Sequence, residues 1–560
     1  MPDFSSLLHQ QFRTRTIPLL LNAQSRISNN DRSRHPFFVM GQPSTQASNA
    51  VMYLTYGAFL LVGTGIAWRM RNQSKKDFLS GNGTQTALPL ALNFIASALG
   101  SAILFSYPEL ATIAGVQGMI VYSLSASLPI LMFGYLGPVI RRRCPEGFVL
   151  TEWTRQRYGT LTMLYLSFMT LVTLFLYMVS ELSAIGQVVT ALTGLDGLPV
   201  MIVQCVITTI YTSLGGFRIS FLTDVIQGAM VIGLVILATI TIGAKTSIDR
   251  SLIDSSGLLK ANLLGWQLLY IFPVAILTNS FFLSSLWLRT FASKTDKDLH
   301  VGTIIATGVV LCVLTLVGST GLIAIWSGAL QGDEIASSGA IAFFALLERL
   351  PSWVVGIVLV MVVTLSTAAF DSLQSAMVSS ASNDLFRNRL NVWFIRGGVV
   401  LIIIPVIVLA LKAPSILQIY LITDLISAAT VPVLCIGLIK SCWWWRGFEV
   451  VVGGLGGIFT VFLFGLVYYG NAQEAGELLL LQNGLYGNDW SAFGAFVAAP
   501  VGGILWGVGA LILRLSVQFV MAKVRGHRFD ALDRPIERSE SRETDEPAEN
   551  LVSATTGKFF

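Results

Sequence analysis

Charge is what this chain has least of. Only 12% of its 560 residues are Asp, Glu, Lys or Arg, about half the share of an average soluble domain, which is about 25%. The amphipathic patterns that a soluble multidomain chain would need are missing as well. No polar segment is large enough for a kinase, a nucleotide-binding domain or a soluble ligand trap. The one Gly-rich stretch, Gly453 to Gly457, sits in an apolar run and lacks the Lys of a phosphate loop, which disfavours ATP-driven transport. Cys144, Cys205, Cys312, Cys435 and Cys442 show no metal-type spacing, which argues against a disulfide framework or a zinc site. The net charge of +5 is spread over short loops, so nucleic acid is not an expected partner. No enzyme activity and no cofactor are expected.

What is present is hydrocarbon. The chain is 54% hydrophobic, with a mean hydropathy of +0.70, and run after run has the roughly 20-residue length that crosses a bilayer. Spans are expected at 50–69, 86–108, 116–139, 161–192, 197–214, 221–244, 265–289, 302–330, 352–383, 394–412, 416–439, 448–470 and 493–521. This makes an all-α polytopic membrane protein of about 13 helices, because only helices or closed barrels satisfy the backbone in lipid. Residues 1–48 read as a disordered or targeting tail, 49–521 as the membrane domain and 522–560 as a second disordered tail. One set of loops carries Arg69, Arg71, Lys75, Lys76, Arg141 to Arg143, Arg155, Arg157, Arg218, Arg289, Lys294, Lys297, Arg387, Arg389, Lys440 and Arg446. The opposite set offers only Lys245, Arg250, Lys260, Arg349 and Lys412. The positive-inside rule makes the first set cytoplasmic, which puts the amino terminus outside and the carboxy terminus inside. Trp443, Trp444 and Trp445 beside Arg446 are expected to form an interfacial anchor.

The stretch "YTSLGGFRISFLTDVIQ" (211–227) interrupts the apolar pattern between two spans. Gly215-Gly216 permits a tight turn, Thr223 can cap the next helix, and Asp224 faces the favourable end of its dipole. The string resembles the signature of the sodium:solute symporter family at Tyr211, Thr212, Gly215, Gly216, Thr223, Asp224 and Gln227. Four further stretches, "DFLSGN", "TEWTRQRYG", "WLRTFASKTDKDLHVG" and "FDSLQSAMVSSASNDLF", are similar to family patterns in the same order. The resemblance covers about 50–520. "RRRCPEGFVLTEW" and the layout look closest to the fungal and plant urea–polyamine branch.

This resemblance implies a leucine-transporter-type fold of two inverted five-helix repeats, with substrate bound where the first helix of each repeat is broken. In "NFIASALGSAILFSYPE" (93–109) small and polar residues loosen an apolar span, and Asn93, Ser97 and Ser101 are candidate substrate ligands. Freed carbonyls near Ala98 to Ser101 point toward an ion, although small residues also permit close helix packing. Asn279, Ser280 and Ser284 are candidates on the second broken helix, where packing hydrogen bonds are an equal reading. Glu181, Asp371 and Asp424 lie inside spans, where a charge must be paired, protonated or facing water. At least one is read as a coupling-proton or cation site, and Asp224 as part of ion coupling. The family's sodium-binding hydroxyls would fall at Ala368 and Ala369, which have none; Ser366 and Thr367 sit two residues upstream. Either the helix shifts register to offer sodium those two hydroxyls, or protons drive uptake.

The expectation is a plasma-membrane symporter that imports a small polar solute, urea or a polyamine being favoured, on a sodium or proton gradient. A non-transporting nutrient sensor and an organellar carrier are the alternatives. Substrate identity and oligomeric state are not specified by the sequence.

Overall fold

The computed structural model describes residues 43–69, 81–144, 149–330 and 339–527 apart from 388, 390, 414, 440, 483, 487 and 488, together with 529, 532 and 559. Most of the two tails lies outside the described residues, as do Arg71, Lys75, Lys76, Lys440 and the "DFLS" of 77–80. Among the described residues the chain is helical, with one isolated bridge between Gln85 and Ser293.

Among the described residues ten helices are long and apolar enough to cross a membrane, and three shorter apolar helices fall at Ala87–Ala98, Leu198–Leu214 and Val400–Ala410. In chain order the first helices are α1 (Thr45–Arg69), α2 (Ala87–Ala98), α3 (Ile103–Ser127), α4 (Pro129–Arg143), α5 (Leu150–Tyr158), α6 (Thr160–Thr193) and α7 (Leu198–Lys245). The short α8 (Arg250–Ser256) precedes α9 (Leu263–Phe282), α10 (Ser284–Ala292) and α11 (Asp296–Trp326). Then come α12 (Ala342–Leu347), α13 (Ser352–Asp384), α14 (Val392–Ala410), α15 (Ile416–Cys435), α16 (Gly447–Tyr469), α17 (Ala472–Leu479) and α18 (Ser491–Arg525).

Two interruptions decide the architecture. The expected single span at 86–108 is two helices: Leu99 is extended (φ −111°, ψ 107°) and helix resumes only at Ile103. Gly100 and Ser101 lie in the gap, where a missing Cβ and a small hydroxyl tolerate a non-helical turn. The span expected at 265–289 likewise splits at Leu283 (φ −76°, ψ 87°) into α9 and α10. The spans expected at 197–214 and 221–244 are the two arms of α7, Leu198–Leu214 and Gly216–Lys245, which meet at Gly216 in a non-helical conformation (φ 61°, ψ −155°). The joint expected at Gly215-Gly216 is present as a sharp kink between two helices.

Around the breaks, α2 packs against α7 and α11, α3 against α9 and α11, α6 against α13, and α9 against α15. Outside this core, α16 lies along α18, where small residues let the backbones approach. A Cβ on Gly457 would sit 2.7 Å from the Ala499 carbonyl oxygen. The expected aromatic anchor is corrected at Trp445, which is buried and donates its indole N–H to the Val433 carbonyl at 3.0 Å.

Candidate functional site

The break in α2–α3 leaves backbone groups without helical partners inside a membrane-spanning bundle, and Glu181 on α6 answers one of them. Its Oε2 accepts the Ser101 backbone N–H at 2.8 Å and the Ser101 hydroxyl at 2.9 Å. Gly100 is required for that approach, since a Cβ there would overlap the Glu181 carboxyl. Tyr420 of α15 donates to the other carboxyl oxygen at 3.5 Å.

A second carboxylate faces the same space. Asp424 on α15 accepts the Asn279 side-chain amide at 2.6 Å, and Asn279 also donates to the Tyr177 hydroxyl at 2.7 Å. The Asn279 Oδ1 is buried without a protein partner.

Between these groups lies a cavity of about 140 Å³, bounded by α2–α3, α6, the α9–α10 break, α13 and α15. Glu181 and Asp424 supply its acids, and Tyr107, Tyr122, Tyr177 and Tyr420 supply aromatic faces. Tyr107 stacks on Tyr122 with centroids 3.9 Å apart, Tyr122 on Phe272 at 4.4 Å, and Tyr177 tilts against Tyr420 at 4.9 Å. Among the described residues no Lys, Arg or His lines it. Carboxylates bind ammonium groups through charge-assisted hydrogen bonds, and tyrosine faces attract cations desolvated from water. The chemistry on offer is recognition of an organic cation.

Of the residues singled out in the sequence, Ser97, Ala98, Glu181 and Ser280 line the cavity. Ser101 and Asn279 stand directly behind it, holding Glu181 and Asp424. Asn93 is fully buried elsewhere, its amide donating to the Pro89 carbonyl at 2.9 Å. Ser284 is buried outside the lining, while its neighbour Ser285 is part of it. On α13 it is Ala369 that meets the cavity. Ser366 exchanges hydrogen bonds with Gln204 at 2.8 and 3.1 Å, and Thr367 donates to the Val363 carbonyl at 2.6 Å. The helix runs without a break through all four positions, so no register shift turns these hydroxyls inward.

The signature stretch gathers around α13 instead. Tyr211 before the kink and Ser220 and Thr223 after it all donate to the Asp371 carboxylate, at 2.6, 2.8 and 3.3 Å. Asp224 pairs with Arg289 of α10, and Ser372 bonds to both. Arg289, fully buried, also donates to the Asn93 and Ser285 carbonyls at 3.1 and 2.7 Å. Asp371 and Asp224 thus lock α7, α10 and α13 together and stand off the cavity. The expected capping role of Thr223 is corrected: it lies inside a helix and donates back to Ile219 and Ser220. Thr212 and Gln227 are buried with side-chain polar atoms that find no protein partner.

The four tyrosines escaped the sequence reading, yet a signal for two of them is present. Tyr177 precedes Glu181 by four residues, and Tyr420 precedes Asp424 by four; at that spacing each pair shares one helix face.

A family model described as the sodium:solute symporter family matches residues 78–447. Over 501 residues the chain is 53% identical to the spermidine transporter DUR31 of Candida albicans, covering 89% of this chain and 95% of that one. It is 24% identical over 400 residues to the sodium/pantothenate symporter of Haemophilus influenzae, covering 66% and 80% respectively. Among solved structures, a Na+-coupled sialic acid symporter in a substrate-bound outward-open state superposes with a TM-score of 0.65 at 17% identity, covering 83% of this chain and 97% of that one. The nucleobase-cation-symport-1 transporter Mhp1 in a closed conformation gives a TM-score of 0.51 at 13% identity, over 80% of this chain and 96% of that one. The fold is the leucine-transporter type that the sequence resemblance implied.

Proposed function

From the premise that this chain belongs to the sodium:solute symporter family and is a multi-pass secondary active solute symporter, we propose that its solute is a polyamine. The carrying observation is the cavity that joins Glu181 and Asp424 to four tyrosines with no basic side chain among the described lining residues. The spermidine transporter that shares 53% of its sequence supports the same reading. Urea, the other solute implied by the resemblance, has no charge for two carboxylates to offset.

In this reading Glu181 and Asp424 each hold an ammonium, and the tyrosines replace its lost water. Ser101 and Asn279 orient the two carboxyl groups, while Ser97 and Ser280 line the path. Gly100 keeps the broken segment of α2–α3 in contact with Glu181, so occupancy of the cavity and the geometry of the break are linked. The distribution of basic loops supports an amino terminus outside and a carboxy terminus in the cytoplasm, in the plasma membrane.

Sodium is the coupling ion that family membership and the Na+-coupled structural neighbour support. A second reading, proton coupling, is favoured by one observation: Ala368 and Ala369 stand where hydroxyl ligands would be, and Ser366 and Thr367 are engaged with other groups. Radiolabelled uptake in a transporter-null host tests both layers. Spermidine and putrescine should accumulate and urea should not. Replacing sodium with choline at constant pH stops uptake if sodium drives it, whereas collapse with a protonophore alone assigns the proton. Uptake of urea without uptake of either amine would overturn the polyamine reading.

A further inference from the structure

Two helices in contact beside the cavity, α6 and α15, carry the same pattern in opposite order. On α6 Tyr177 precedes Glu181 by four residues, and on α15 Tyr420 precedes Asp424 by four. Tyr420 donates to Glu181 Oε1 at 3.5 Å, whereas Tyr177 and Asp424 both meet the Asn279 amide nitrogen, at 2.7 and 2.6 Å. The helices therefore run antiparallel here, with Glu181 level with Tyr420 and Asp424 level with Tyr177. The two acids stand at opposite corners, offset along the helix axes by one turn, about 6 Å for four residues.

Each acid gives one oxygen to the protein and offers the other. Glu181 Oε2 takes both Ser101 donors at 2.8 and 2.9 Å, whereas Oε1 is met by the long Tyr420 contact. Asp424 Oδ1 takes the Asn279 amide, and Oδ2 has no hydrogen-bond partner among the described residues. Both acids line the cavity, where Ala98, Ile103 and Ile276 add apolar wall. No third carboxylate is among the described lining residues. Such a site suits two positive charges joined by hydrocarbon, since carboxylates hold ammonium groups through charge-assisted hydrogen bonds and methylenes gain by leaving water.

The length of that hydrocarbon follows from the offset. An extended chain advances about 3.5 Å per three bonds, so the five bonds between the amines of a four-carbon diamine cover about 6 Å. We propose that the Glu181–Asp424 pair measures amine spacing: it selects cations whose neighbouring amines are about four carbons apart, lying lengthwise along α6 and α15. This rests on the polyamine reading of the cavity and adds the length of the bridge to it. Spacing, not the number of amines, then decides recognition. A third amine meets no third acid, and a longer diamine must fold to reach both.

The test is inhibition of radiolabelled spermidine uptake by unlabelled straight-chain diamines of three to eight carbons. Full-length wild type, Asp424→Glu and Glu181→Asp are compared, with surface protein quantified. In the wild type the inhibition constant should be lowest at four carbons and about tenfold or more higher at eight, the worth of one charge-assisted contact. Asp424→Glu lengthens its arm by one methylene and should move the minimum to three carbons. Glu181→Asp shortens its arm and should move it to five. A flat series, one that falls steadily with chain length as hydrocarbon burial alone dictates, or a minimum beyond five carbons overturns the ruler while the polyamine reading stands. So does a minimum that stays at four carbons in both variants. If neither variant reaches the surface, the wild-type series decides on the first criterion. A wild type that takes up neither spermidine nor putrescine overturns the polyamine reading itself, before any series is compared.

Discussion

Glu181 and Asp424 are embedded among donors and rings with no basic side chain among the described lining residues, so the account gives each a separable role. Glu181→Gln and Asp424→Asn keep size and shape and remove the charge. Each should lower spermidine kcat/KM by about thirtyfold or more, since truncating a buried charged contact costs about 2–5 kcal/mol, with normal surface abundance by biotinylation. Tyr177→Leu and Tyr420→Leu remove a ring face and should raise KM by about threefold to tenfold, the range of about 0.5–1 kcal/mol and above for cation–π contacts. Single residues were legible where burial was expensive: Glu181, Asp371 and Asp424 announced themselves as acids inside apolar runs. The sequence did not separate Glu181 and Asp424, which face the cavity, from Asp371, which three hydroxyls hold against α7. That distinction depends on which face of one helix meets which neighbour. The tyrosines were hidden for a similar reason, because an aromatic four residues from an acid reads equally well as packing.

Helix breaks and kinks hold these residues in place. Gly100→Ala places a methyl where the Glu181 carboxyl lies, so it should abolish uptake even if the protein is made and inserted. Gly216 holds φ 61° and ψ −155° in the middle of α7, a conformation that strains an L-residue by about 1–3 kcal/mol. Gly216→Ala should lower the thermal midpoint of the detergent-purified protein by several degrees. Gly233→Ala in the same helix, where a methyl meets open space, should leave it level or raise it slightly. Asp224→Asn strands the buried Arg289 guanidinium and should destabilise more than either, by about 3–5 kcal/mol. The sequence located both breaks through small residues and the family pattern, because a broken helix needs residues that tolerate it. The joint within α7 was legible as well, because Gly215-Gly216 stands between two apolar runs and Gly216 takes the left-handed φ that favours glycine.

For the whole molecule, composition alone fixed membrane residence, since 12% charge and 54% hydrophobic content leave few surfaces for water. The inverted repeat was not legible from composition or periodicity and came only as an implication of the family resemblance. The proposed orientation predicts that an epitope at the carboxy terminus is stained only after cells are permeabilised, while one at the amino terminus is stained on intact cells. The claim on which everything else depends is that an ion gradient concentrates a polyamine through the Glu181–Asp424 cavity. Its most direct test is radiolabelled spermidine accumulation in proteoliposomes of the purified protein under imposed sodium or proton gradients. The account predicts accumulation above equilibrium with one of these gradients, none without either, and none in Glu181→Gln or Asp424→Asn. Equal spermidine levels with and without every gradient, or undiminished accumulation by both variants, would contradict it.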